Sequence, residues 1–402
     1  MRKLLVLAHR WVALLAGLLL ALLGLTGSLM VWQAEIDAAL NPRWFATDAA
    51  CAPSRQPVAD VLALLARNAP QARPAIVVAP QRDGAAYQVW ERRDAATGWR
   101  REHFIDPACG RYLGSRDRGA LRLDSAHAAV MLYELHSKLL SGERGHIVVG
   151  IGGIVLFGLA LSGVVLAWPR GGGLTAWRRV LGVKATASKA RLWFDIHRAT
   201  GMWLAPLCLV LTITGAALVF DDQARALVVT VLPTQTLPKL PTRLPTKLPK
   251  MAAAPIATGQ ALAALAPDEL VRRALREFPD AQWSRLTLPA ANDAVQAEVR
   301  LLQRAEPRAD TGSTRVRLGA DGQVAARYDP LQAPVGNRLL DWVFPLHSGE
   351  ALGFAARVLW SVFGLVPTLL LGSGLWLWWR RTKAPNPRGS ARPWRAASTM
   401  QR

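Results

Sequence analysis

Imidazole can hold a metal, or a metal-centred cofactor, while remaining neutral. Four of the seven histidines in this chain occur in two matched settings. His9 is followed by Arg10 and, 17 residues later, by Thr26-Gly27; His197 is followed by Arg198 and, 17 residues later, by Thr214-Gly215. His136 and His347 sit in identical Leu-His-Ser tripeptides, each 26 residues ahead of a Ser-Gly pair, Ser162-Gly163 and Ser373-Gly374. Trp168 and Arg170 continue one series as Trp379 and Arg381 continue the other. The matching reads as one unit written twice, with two pairs of candidate iron ligands drawn from different helices.

The elements that must carry these residues are apolar. The 402-residue chain is 51% hydrophobic and 19% charged, greasier than an ordinary soluble protein of two domains. Four stretches, about Trp11–Gln33, Ile147–Trp168, Met202–Phe220 and Ala351–Trp379, approach or exceed the roughly 20 residues that cross a bilayer. Trp residues at 11, 32, 168, 203, 378 and 379 suit its interfaces. The first stretch is longer than a signal-peptide core and is matched by an internal span, so it is expected to stay as a helix.

Charge gives the expected orientation. Arg2, Lys3 and Arg10 precede the first span. Arg170 to Arg191, between spans two and three, is basic without an acid, and so is the tail from Arg380. The two long connectors on the opposite side are nearly balanced. That pattern places both termini in the cytoplasm. It also accounts for the net charge of +21 without nucleic acid, which is not expected as a partner.

With this topology His9 and His197 lie at the cytoplasmic ends of spans one and three, and His136 and His347 at the outer ends of spans two and four. A two-fold axis along the membrane normal would bring His9 opposite His197 and His136 opposite His347. Such pairs suit haem iron held between helices; imidazoles bonded to head groups or carbonyls at span ends are the alternative. His136 lies 11 residues before the apolar run at Ile147, so span two would have to project about 16 Å. His146 could compete as a ligand, but its repeat counterpart is Arg357, which cannot ligate iron. Contact with haem propionates is the better role for His146 and Arg357, with plain snorkelling an equal alternative for Arg357. Gly24, Gly27, Gly158, Gly163, Gly215, Gly364, Gly372 and Gly374 would let porphyrin or a neighbouring helix approach. His127 reads as a partly exposed structural residue, His103 as a surface one, and Glu143 and Glu350 as solvated.

The connectors alternate with period two after an opening helix. In the first, a helix over Pro57–Asn68 precedes strands at about Ala75–Ala79, Ala86–Arg92, Arg100–Ile105 and Arg111–Gly114. In the second, Pro267–Phe278 precedes Gln282–Leu288, Ala294–Leu302, Thr314–Leu318 and Gln323–Tyr328. A helix on a small antiparallel sheet is expected in each. Leu237–Lys250, a Pro-Lys-Leu segment, reads as a semi-rigid spacer. Cys51 and Cys109 fall in one connector, where an oxidising compartment would permit a disulfide, and Cys208 reads as span packing. No P-loop, dinucleotide, Ser-His-Asp or HExxH signature occurs.

The first connector, ending in FIDPACGRYLG (Phe104–Gly114), resembles the PepSY module. The spans bearing HR…TG and LHS…SG resemble the PepSY-associated transmembrane family, which includes iron-regulated inner-membrane proteins and ferrioxamine-type siderophore reductases. The second connector departs from the pattern, since Leu318–Asp329 lacks the Asp-Pro turn. The resemblance implies an integral membrane α-helical protein, a four-helix transmembrane bundle of two tandem repeats with two periplasmic α+β PepSY-like domains. The expected layout is a span in 1–33, an outer domain in 34–135, a span in 136–168 and a basic connector in 169–196. A span in 197–221, an outer domain in 222–346 with a Pro-rich insert at 236–250, a span in 347–380 and a basic tail in 381–402 complete it. It implies a multi-pass protein of the bacterial inner membrane holding two haem b groups on His9, His197, His136 and His347. Its function would be to reduce a ferric siderophore on the periplasmic side, with electrons from quinol or a reductase partner. The rival readings are a PepSY regulator of a periplasmic protease and a haem electron carrier for another acceptor.

Overall fold

The computed structural model describes residues 1–45, 51, 56–80, 85–235, 265–289, 295–319 and 322–383. The Pro-Lys-Leu spacer and most of the basic tail lie outside them. Among the described residues, four helices are long and apolar enough to cross a membrane. In chain order the first of them is α1 (Arg2–Met30), followed by short helices α2 (Gln33–Leu40) and α3 (Pro42–Phe45) and the amphipathic α4 (Val58–Asn68). Strands β1 (Pro74–Val78), β2 (Tyr87–Glu91), β3 (Arg100–Asp106) and β4 (Arg111–Arg118) come next, then α5 (Ser125–Lys138) and the second long helix, α6 (Gly142–Ala167). Helix α7 (Leu174–Leu181) leads to the third, α8 (Lys189–Val219), and then to α9 (Asp221–Val231) and α10 (Pro267–Glu277). Strands β5 (Gln282–Thr287), β6 (Val295–Leu302), β7 (Thr314–Gly319) and β8 (Val324–Tyr328) precede α11 (Val335–Ser348), α12 (Gly353–Phe363) and α13 (Val366–Lys383).

Each connector forms a four-stranded antiparallel meander with one helix, as the alternation predicts. The two meanders do not stand apart. They join edge to edge into one eight-stranded sheet, ordered β4-β3-β2-β1-β5-β6-β7-β8. At the seam Ile76 faces Thr287, Val77 faces Leu286 and Val78 faces Arg285. Left apart, β1 and β5 would each present an unpaired edge. A single core runs beneath both halves: Val77, Val89 and Ile105 from the first, Leu286, Val299 and Val316 from the second, all fully buried. Helices α4 and α10 cover this face with residues at helical spacing, Val58, Val61 and Leu65 from one and Leu270, Val271 and Ala274 from the other. Asp268 of α10 accepts from the backbone N–H groups of Val58 and Ala59 at 2.7 and 3.1 Å. One module thereby caps the other's helix.

Two expected spans are interrupted. Leu139 and Leu140 both have positive φ, 50° and 54°, so the chain turns between α5 and α6. His136 therefore rides on a separate helix, and no long projection of span two is needed. The fourth apolar stretch breaks at Gly364-Leu365, just before Pro367 in the first turn of α13, where the ring removes a donor and restrains the preceding residue. Gly364 also meets Gly24 of α1 so closely that a methyl group on either would strike the other's carbonyl oxygen.

The opposite face of the sheet is turned toward α2, α5 and α11. Arg116 of β4 fastens it there. Its guanidinium donates to both carboxylate oxygens of Asp37 in α2 at 2.7 and 2.6 Å, to Glu102 of β3 at 2.7 Å and to the carbonyl of Ala126 in α5 at 3.0 Å. Near the same end, Cys51 and Cys109 form a disulfide with Cα atoms 5.5 Å apart.

Candidate functional site

The four repeated histidines each meet the Thr-Gly or Ser-Gly pair of a different helix. His9 of α1 meets Ser162 of α6, with Nδ1 and Oγ 2.8 Å apart. His136 of α5 meets Thr26 of α1 at 2.9 Å. His197 of α8 meets Ser373 of α13 at 2.9 Å, and His347 of α11 meets Thr214 of α8 at 3.2 Å. The short motifs of the sequence are thus two halves of one fitting, assembled four times among the described residues.

The hydroxyls decide which ring nitrogen is free. Each donates its only hydrogen to a carbonyl of its own helix: Thr26 to Leu22 at 2.8 Å, Ser162 to Leu159 at 3.0 Å, Thr214 to Val210 at 2.7 Å and Ser373 to Leu369 at 2.8 Å. With that hydrogen committed, the oxygen can only accept, so the histidine Nδ1 carries the proton and donates. The carbonyl of Leu211, 3.1 Å from His347 Nδ1, enforces the same tautomer there. Every Nε2 is left with a lone pair. A second nitrogen anchored in this way is the usual support of a metal-ligating histidine.

The glycines make room for the rings. A Cβ at Gly215 would lie 2.8 Å from Cε1 of His347, and one at Gly27 would lie 3.2 Å from Cε1 of His136. At Gly163 and Gly374 the corresponding distances to His9 and His197 are 3.5 and 3.7 Å, ordinary contact. Gly158 and Gly372 have no such neighbour within 4 Å.

At the sheet end of the bundle the His136 and His347 rings come together, with centroids 6.4 Å apart and planes inclined at 41°. Two neutral imidazoles from different helices are the kind of donor pair that would hold haem iron. By donor chemistry, the residues present would suit a haem. Among the described residues no three His, Cys, Asp or Glu side chains gather around one point. The pair thus offers two donors, the number needed by a planar cofactor that brings its own four nitrogens. His9 and His197, at the far end, have the same mounts but make no ring-to-ring contact with each other among the described residues.

Other candidates are engaged elsewhere. His146 donates through Nδ1 to the carbonyl of Ser137 at 2.9 Å, bracing the turn between α5 and α6. Arg357 donates to the carbonyl of Val31 at 2.6 Å, pairs with Glu35 at 2.8 Å and lies over the Trp32 ring. His103 is buried rather than superficial, between Glu91 at 2.8 Å and Tyr112 at 2.9 Å. His127 is also buried, its Nδ1 2.6 Å from the helix-capping Asp124. Glu143 is exposed, whereas Glu350 is half-buried with one carboxylate oxygen unpartnered. Sequence reasoning missed Asp195, a buried carboxylate two residues before His197 in α8 that pairs with Arg191 and Arg198, each at 2.9 Å. The i, i+3 and i, i+4 spacing was its only signal.

A family model described as PepSY-associated TM region matches residues 6–381, and the chain belongs to that family. It is similar to the uncharacterized protein PA4219 of Pseudomonas aeruginosa, at 32% identity over 268 residues. That match covers 64% of this chain and 65% of the relative, so the chain spans a little under two thirds of that protein's length.

Proposed function

We propose that this protein is a dihaem membrane reductase acting on ferric siderophores at its sheet-bearing side. The observation that carries the reading is the His136–His347 pair: neighbouring rings 6.4 Å apart, anchored through Nδ1, with both Nε2 lone pairs free. His9 and His197 would hold a second haem near the opposite membrane face. Bound haem supplies one-electron transfer, and the protein supplies its position and surroundings. Thr26 and Thr214 orient the imidazoles, while Gly27 and Gly215 admit them to the bundle. Ferrous iron is held less tightly by hard oxygen donors than ferric iron, so reduction would release it. The disulfide and the basic opposite end of the bundle support a periplasmic sheet and cytoplasmic termini in a bacterial inner membrane. The electron donor would be quinol or a reductase partner.

Purified protein should show a Soret band and two haems by pyridine assay; a colourless protein would sink the reading. Dithionite-reduced protein should reoxidise on mixing with candidate ferric siderophores as ferrous iron appears. Reoxidation by other acceptors alone would leave an electron carrier.

The mounts add a graded test. Gly215→Ala should push the His347 ring and lower haem occupancy severalfold, whereas Gly374→Ala should leave it unchanged. Pyridine assays on the two variants compare them directly, and equal occupancy would contradict the close fit at Gly215.

A further inference from the structure

The side of the sheet facing the bundle carries an arrangement that costs stability. Arg285 of β5 stands directly opposite Arg300 of β6, and Arg300 directly opposite Arg315 of β7. Like charges facing each other across strands repel. The Nε atoms of all three are sealed from solvent and lack hydrogen-bond partners, and none of the three forms an ion pair among the described residues. Beside them, Arg100 faces Arg118 across β3 and β4, and Trp90 lies beneath the guanidinium groups of Arg100, Arg118 and Arg285 at 5.0–5.6 Å.

Three acids beside the ladder are already engaged, while Glu350, near Arg308, keeps one carboxylate oxygen without a partner. Glu102 is bound by Arg116 at 2.7 Å, Glu298 by Arg317 at 2.9 Å and Asp310 by Arg308 at 2.7 Å. Burial, then the nearby Arg315, Arg285 and Arg308, push Arg300 down to about 9. Burial and neighbouring arginines push Arg100 down to about 10. Both remain cations at neutral pH. The cluster adjoins the histidine pair through two aromatic side chains. Arg118 lies over Tyr133, one turn before His136, and Arg308 over Phe344, one turn before His347.

We propose that this arginine ladder binds a soluble oxyanion of several charges, so that the substrate class is a carboxylate- or catecholate-bearing ferric chelate rather than a cationic one. The substrate assignment rests on the reductase reading above; the anion site does not. Guanidinium groups in a row present paired donors to carboxylate oxygens, and a bound polyanion would offset the repulsion between them. The same chemistry could be met by propionates of a haem on the adjoining histidines, and the test separates the two sources.

Citrate titrated calorimetrically into the full chain in nanodiscs is expected to bind, and to raise its melting temperature. Arg300→Gln should weaken citrate by about tenfold or more yet raise the melting temperature of the citrate-free protein, because a repulsion is removed. Arg285→Gln should do the same. Citrate binding confined to haem-free protein, such as a His136→Ala/His347→Ala variant, would assign the ladder to propionates and overturn the proposal. So would no binding in either form, or unchanged affinity in both arginine variants. Should the wild type prove to contain no haem while citrate still binds at the ladder, the reductase reading fails and the anion site stands.

Discussion

Replacing His347 by alanine is expected to remove one of two haems and to lower ferric-chelate reduction at least about a hundredfold, leaving the fold intact. The ring lies at the C-terminal end of α11 and reaches Thr214 and the Leu211 carbonyl of α8. Its loss would remove a proposed iron ligand whose tautomer and direction are set by two acceptors. His136→Ala should behave alike, since the two rings are neighbours with centroids 6.4 Å apart. His9→Ala should differ: reduction driven by a donor at the far membrane face should stop, while dithionite, reaching both ends in detergent, should still drive it. Pyridine haem assays and stopped-flow reoxidation give both readouts. Full haem content and full turnover in His347→Ala would contradict the site.

Much of this site was legible because its parts are local. The histidines, the hydroxyls and the glycines each sit at fixed positions in the repeat, and the apolar spans and period-two strands follow from composition and alternation. What sequence could not show is which motif meets which. The spacing of 17 residues between His9 and Thr26 suggests one helix with two marks. Yet each mark serves a different neighbour: Ser162 of α6 supports His9, and Thr26 supports His136. Helical periodicity reports which face a residue occupies, not what packs against it. The union of the two meanders was hidden for a similar reason. Strand alternation distinguishes core face from opposite face, but nothing in β1 or β5 names the edge that pairs with it. Charged neighbours on β3 make His103 read as superficial in the sequence, whereas Glu91 and Tyr112 satisfy its ring in the interior.

The second large effect is structural. Arg116→Ala is expected to destabilise the protein by about 3–5 kcal/mol, since it leaves buried charges without their partner. The Arg116 side chain is 3% exposed, Asp37 10% and Glu102 1%, so solvent can do little to compensate. Packing is lost as well, because the guanidinium lies 5.2 Å from the Phe104 ring centre, and Phe104 is stacked on Trp44 at 4.9 Å. Arg116→Lys should rescue only part, because an ammonium cannot reproduce the fork that serves Asp37 through two nitrogens and Glu102 through a third. The consequence reaches the site, since Arg116 also holds the first turn of α5 through the Ala126 carbonyl. That helix carries His136 at its other end. Thermal unfolding in detergent should therefore fall for Arg116→Ala, and haem should be lost at a lower temperature than global unfolding if α5 loosens first. A variant that melts and binds haem like wild type would show that the sheet does not position the histidine pair.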